Sequence, residues 1–209
     1  MKPKTQRIAA IIIAVLVSFS MIGTAAFGYF YGSFTPSSAN PPSTPTLSAG
    51  ERFKLQKSQV QTLEAQVKAS PEDAALQLDL ANAYFDLAIS AQGIAPEETS
   101  TDFGKAIAGY QIVLKTKKDL NVLVDMATAA FYAGQDDLAE KSFQEALIEQ
   151  PKFFNALYNY GVFLAQAKKD NVGAIRLWQQ ALAAEPSNPR VADLKALIQQ
   201  AQQAAKPSP

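Results

Sequence analysis

Residues 120–151, LNVLVDMATAAFYAGQDDLAEKSFQEALIEQP, lay over residues 154–186, FNALYNYGVFLAQAKKDNVGAIRLWQQALAAEP, and that overlay decides the fold. Each segment reads as an apolar-striped helix, a short polar turn, a second striped helix and a proline. Pro151 and Pro186 stand 35 residues apart, a period that marks a helical solenoid. The second segment carries one extra turn residue around Lys169-Asp170-Asn171. No alternating strand pattern appears between residues 49 and 204, and Ala, Leu, Gln, Lys and Glu dominate there, all good helix formers. The expectation is an all-α chain.

Outward from the overlay, the helical pattern extends both ways. Ser48-Ala-Gly-Glu51 is a capping box, in which hydroxyl and carboxylate satisfy orphan amides at a helix start. Phe53, Val60, Leu63 and Val67 form one apolar stripe behind it. Ser70-Pro71-Glu72-Asp73 closes that helix and opens another with a cap, a first-turn proline and acids. A final helix from about Pro189 to Gln203 reads as a terminal cap.

The pattern resembles the tetratricopeptide repeat (TPR). The residues that carry the resemblance in 120–151 are Leu123, Met126-Ala127, Ala130, Gly134, Ala139, Phe143, Ala146 and Pro151. In 154–186 they are Leu157, Tyr160-Gly161, Leu164, Ala174, Trp178, Ala181 and Pro186. A weaker third copy has Leu80-Ala81 and Tyr84 in its first helix and Ala106, Tyr110 and Val113 in its second. An insert around Ser90–Thr101 separates those halves and reads as a longer inter-helix loop, and Lys118 stands where the family has proline. Small residues sit where paired helices approach, and large ones fill the gap to the next repeat. The resemblance implies a TPR-like solenoid of about three repeats with flanking helices over 49–204, with 205–209 a frayed tail.

Ahead of the solenoid, Ile8 to Phe34 carries no charge, and a bilayer needs roughly 20 apolar residues. Lys2, Lys4 and Arg7 precede this run and are the only charged side chains before Glu51. Cations ahead of an apolar span place the N-terminus in the cytoplasm and the rest of the chain beyond the membrane. Phe27, Tyr29, Phe30, Tyr31 and Phe34 make an interfacial belt at its outer end. Residues 1–34 are thus expected to form a single-pass anchor. A cleaved signal peptide ending at Thr24-Ala25-Ala26 is the competing reading, and it would secrete the domain. Residues 35–48, TPSSANPPSTPTLS, are a Pro/Ser/Thr-rich spacer. Both readings put residues 49–204 outside the cytoplasm, on the periplasmic or cell-wall side.

Composition excludes much chemistry. The chain of 209 residues has no Cys and no His, so disulfides, thiolate nucleophiles, Cys/His zinc sites and histidine general bases are absent. Lys plus Arg equals Asp plus Glu at 19 each, which leaves no basic footprint for nucleic acid. Glu97-Glu98, Asp136-Asp137 and Ser142 are the residues nearest to a catalytic set, yet no spacing pairs a base with a nucleophile. Asp136-Asp137 fits the start of a helix, where acids favour the dipole. The expectation is a non-enzymatic protein with no cofactor and no metal.

In TPR proteins the first helix of each repeat lines a concave groove for peptide segments. The resemblance assigns that role here to Leu78, Asn82, Phe85 and Asp86. It assigns the same role to Asn121, Val124, Thr128, Phe131 and Tyr132, and to Asn155, Tyr158, Val162 and Gln166. Asn can bond a peptide backbone as donor and acceptor, and aromatic rings make binding hot spots. Tyr132 and Tyr158 are favoured for the groove, whereas Phe85 and Phe131 suit core and groove equally. Asn121 and Asn155 have a second reading as helix caps. The partner is then a protein or peptide, held by a scaffold or assembly factor.

Two alternatives accompany that reading. LEAQVKASPEDAALQLDLANAYFDLA (63–88) is similar to the repeat region of c-type cytochrome maturation accessories, which would make the chain an envelope-complex subunit. Val60, Leu63 and Val67 could instead pair with a second copy, which would make it a self-assembling subunit, although stacking on the next helix is the favoured use of that stripe.

Overall fold

The computed structural model describes residues 47–205. The expected anchor, nearly all of the spacer and the last residues of the tail lie outside them. Among the described residues no helix is long and apolar enough to cross a membrane.

Eight α-helices and no strand make up the described residues. They are α1 (Ala49–Ala69), α2 (Ala74–Ala91), α3 (Pro96–Thr116), α4 (Leu120–Tyr132), α5 (Asp136–Glu149), α6 (Phe154–Phe163), α7 (Asn171–Ala184) and α8 (Val191–Ala204). Helices α2/α3, α4/α5 and α6/α7 pack as antiparallel pairs, α1 stacks on α2, and α8 stacks on α7. Each element touches chiefly its neighbours in sequence, as a solenoid requires.

Local chemistry sets the helix starts. Ser48 and Glu51 form the expected capping box on α1. Asp73 and Asp119 each accept two backbone N–H bonds at the starts of α2 and α4, and Asp170 accepts one from Gly173. Asp136 and Asp137 occupy the first turn of α5, where the helix dipole favours them.

Small residues close the pairs. Ala127, Ala139, Ala146, Ala174 and Ala181 are fully buried. At Gly161 an added Cβ would run into the Trp178 indole, and at Gly109 it would sit 2.7 Å from the Ala81 Cβ. The Trp178 indole N–H donates to the Tyr158 carbonyl at 3.0 Å, which locks α6 to α7. Ring contacts run through successive pairs, from Phe85 and Phe103 through Tyr132 and Phe131 to Phe163, Tyr160 and Phe143. These rings fill the gaps between repeats.

Two expectations are corrected. The Ser90–Thr101 insert is not a long loop: only residues 92–95 connect α2 to α3, and the rest extends both helices. Pro96 at the first position with Glu97 and Glu98 behind it is a good helix start, which explains the outcome. The extra residue near Lys169 is absorbed upstream, where Leu164–Lys168 forms a π turn continuing α6. Lys169 then takes a positive φ of 60°, at the place where Gly134 takes 74° in the preceding repeat. On α1, Val60 is buried and Leu63 packs on the core, so these stripe residues stack within the chain.

Candidate functional site

Helices α2, α4 and α6 each bring the same register positions to one face. The structure divides the expected groove residues into three groups. Val124, Phe131 and Tyr158 are core side chains, exposed by only 1%, 7% and 6%. Helix pairs cross so closely here that these positions point between neighbours rather than outward. Leu78, Phe85, Thr128, Tyr132, Val162 and Gln166 are half-buried, and Asn155 joins them. Asn82, Asp86 and Asn121 are exposed.

The polar groups on this face are organised. Neither Asn121 nor Asn155 is a cap. Asp119 caps α4, and Phe153 begins α6 without a side-chain bond. Instead the Asn155 amide donates to Asn121 Oδ1 at 3.2 Å, which links two repeats along the face. The Tyr110 hydroxyl of α3 donates to Asn82 Oδ1 at 2.8 Å, leaving the Asn82 amide nitrogen for other partners. Thr128 returns its hydroxyl to the Val124 carbonyl. Tyr132 stacks on Phe103 and Phe131 and meets Phe85 edge-on. Burial, and then the neighbouring Tyr158, pushes its hydroxyl up to about 12, so it stays a neutral donor.

Two functional candidates, Asp125 and Arg190, escaped the sequence reading. Asp125 follows Val124 on α4 and is exposed. Desolvation by the surrounding helices, then the charges of Asp119 and Asp86, push it up to about 6, although part of the side chain meets solvent. Desolvation by the helices packed around it also raises Asp86, although the residue as a whole is exposed. Burial, followed by the charges of Asp125 and Asp86, raises the Tyr110 hydroxyl. Arg190 is the last, with its guanidinium 3.5 Å from the centroid of the Tyr158 ring. A signal for it existed. Arg190 lies four residues after Pro186 as Asn155 lies four after Pro151, so it continues the asparagine row.

At the same end a cavity of about 140 Å³ is lined by Val162, Gln166, Asn171, Trp178, Leu197 and Ala201. The acids weighed for catalysis are scattered. Glu98 pairs with Lys57 at 2.7 Å, Asp136 and Asp137 start α5, and Ser142 is buried. Among the described residues no three acidic side chains group to hold a metal.

No family model matches the chain. The fold is similar to that in the crystal structure of MamA, a TPR-like protein. The TM-score is 0.51 at 15% identity, over 76% of this chain and 91% of that one. The chain therefore has a TPR-like α-solenoid fold. In sequence it is 37% identical over 67 residues to the protein adenylyltransferase Fic of Drosophila yakuba. That match takes in 32% of this chain and 14% of the relative, so the chain spans only a small part of that protein's length.

Proposed function

We propose that this chain is a non-enzymatic interaction module whose concave face holds an extended segment of a protein partner. The observation that carries the reading is the organised polar and aromatic face. Asn121 and Asn155 are linked across repeats, Asn82 keeps an amide nitrogen available, and Tyr132 and Phe85 stand half-open beside them. An extended backbone needs donors and acceptors at intervals, and rigid rings supply contact area at little entropic cost. The charge-free run of residues 8–34 supports a tether that keeps this face outside the cytoplasm, on the periplasmic or cell-wall side.

The test is affinity capture with the full chain from solubilised envelope, against a Tyr132→Ala/Asn155→Ala variant. Phe131 is left alone because it is core. A protein retained by wild type and lost by a variant with unchanged circular dichroism supports the groove. Equal retention by both overturns it.

A further inference from the structure

The two overlaid repeats differ sharply at one place. Residue for residue, 120–132 lies over 154–166, so Phe131 and Tyr132 correspond to Ala165 and Gln166. Phe85 holds the same position in the weaker copy, where Ala81 lies over Ala127. In the middle repeat the Phe131 and Tyr132 rings stack at 5.0 Å, and Phe131 meets Phe163 edge-on at 5.6 Å. In the last repeat a methyl group and a carboxamide stand there instead, and both line the cavity of about 140 Å³. Helix α8 packs chiefly on α7 and brings only Leu197, Gln200 and two alanines to that space, so no described ring replaces the missing pair. An apolar cavity of about 150 Å³ admits benzene, so one ring fits. The lining holds no charged side chain, and an ionised guest would lie there without a counter-charge. Trp178 is buried against the cavity, and its indole N–H is already spent on the Tyr158 carbonyl at 3.0 Å, so it offers ring rather than donor. Gln166, Asn171 and Gln200 add three carboxamides, none bonded to another described side chain. Each presents a donor and an acceptor, as a peptide backbone requires.

We infer that this cavity seats an aromatic side chain, phenylalanine or tyrosine, carried by the extended protein segment that the groove holds. The guest ring takes in the last repeat the place that Phe85 and Phe131 hold in the others, and it lies against Trp178. Gln166, Asn171 and Gln200 bond the backbone on either side of it. This rests on the groove reading above and adds the partner's anchor. Val162 and Gln166 belong both to the groove and to the cavity lining, so one segment can occupy the two together. A ring sunk in an apolar pocket with a polar rim is the usual form of a binding hot spot.

The experiment is selection of random peptides displayed on phage, panned on the full chain and on Ala165→Phe, which returns the ring of the preceding repeat to this place. Wild type should enrich peptides with an aromatic residue at one fixed position, and the variant, with unchanged circular dichroism, should lose that preference. A synthetic peptide from the selection should bind roughly tenfold more weakly when that residue becomes alanine. Trp178 is the only tryptophan of the chain, so its emission reports on this cavity. A tryptophan-free version of the peptide with 4-bromophenylalanine at the fixed position should quench that emission, because bromine quenches at contact. A ring lodged beside Phe85 and Tyr132 should not. This readout leaves the protein untouched and decides the matter even where Ala165→Phe fails to fold. Peptides enriched without aromatic bias, or bound without quenching, overturn this inference and leave the groove standing. Equal quenching by acetylated bromophenylalanine amide alone also overturns it, by making the guest a free aromatic molecule. Quenching seen only after residues 206–209 are removed overturns it too, by making the chain's own tail the guest. No enrichment above bare support overturns the groove reading as well.

Discussion

At the residue scale, two glycines of α3 and α6 separate packing from propensity. Gly161 faces the Trp178 indole directly, whereas a Cβ at Gly104 would meet nothing within 4 Å. Gly161→Ala should destabilise by about 1–3 kcal/mol, since a rigid buried ring cannot yield cheaply. Gly104→Ala should stabilise by about 0.5–1 kcal/mol through helix propensity. Urea titration of both variants checks the pair, and equal effects would refute the packing argument. Asp125 makes a prediction in pH. An unfolded aspartate titrates near about 4, whereas in the fold Asp125 sits at about 6. The raised value means that the fold is favoured by the proton. Stability from this group is complete below about pH 4 and is lost as pH rises through 6. Asp125→Asn should therefore raise Tm at pH 7.5 and change it little at pH 4, as thermal melts at both values would reveal. A stabilising substitution at a groove position is what a residue kept for binding would give.

At the element scale, the π turn and α1 are the two departures from regular repeats. The π turn delivers Lys169 to a left-handed conformation that favours glycine. Lys169→Gly should gain up to about 1 kcal/mol, measured by urea unfolding, and a loss would argue that the lysine side chain holds the turn. Helix α1 buries only Phe53 and Val60 in 21 residues. A polar seam supplies the rest: Lys57 pairs with Glu98, and the Tyr84 hydroxyl donates to Glu64. Near it Gln56 Oε1, Thr99 Oγ1 and Asp102 Oδ2 are buried without a partner among the described residues, at a cost of about 1–3 kcal/mol each. Hydrogen exchange should find the α1 amides less protected than those of α4 to α7. Uniform protection would contradict this.

At the scale of the whole molecule, a solenoid joins its elements in a line, so its ends need not unfold together. The chain has one tryptophan, Trp178, buried between α6 and α7 at the far end from α1. Helical circular dichroism should begin to fall at a lower denaturant concentration than Trp178 emission shifts. Superimposable curves would mean that α1 is held as firmly as the rest.

The sequence by itself determined the class and the phase of the repeats. Pro151 and Pro186, the striped helices and the small residues at 127, 139, 146, 161, 174 and 181 fix which faces meet, because periodicity and side-chain volume are local properties of the chain. The tertiary structure decided which inner-face residues remain open. Val124, Phe131 and Tyr158 share their register with Thr128 and Tyr132, yet the neighbouring helices cover them. It also decided that the Ser90–Thr101 insert lengthens helices rather than forming a loop, since α2 and α3 offer each other a face to bury. Asp86, Tyr110 and Asp125 lie on three different helices, and Arg190 reaches Tyr158 from the start of a fourth element. Burial and charge proximity depend on where helices cross, and the crossing is set by packing across the whole solenoid.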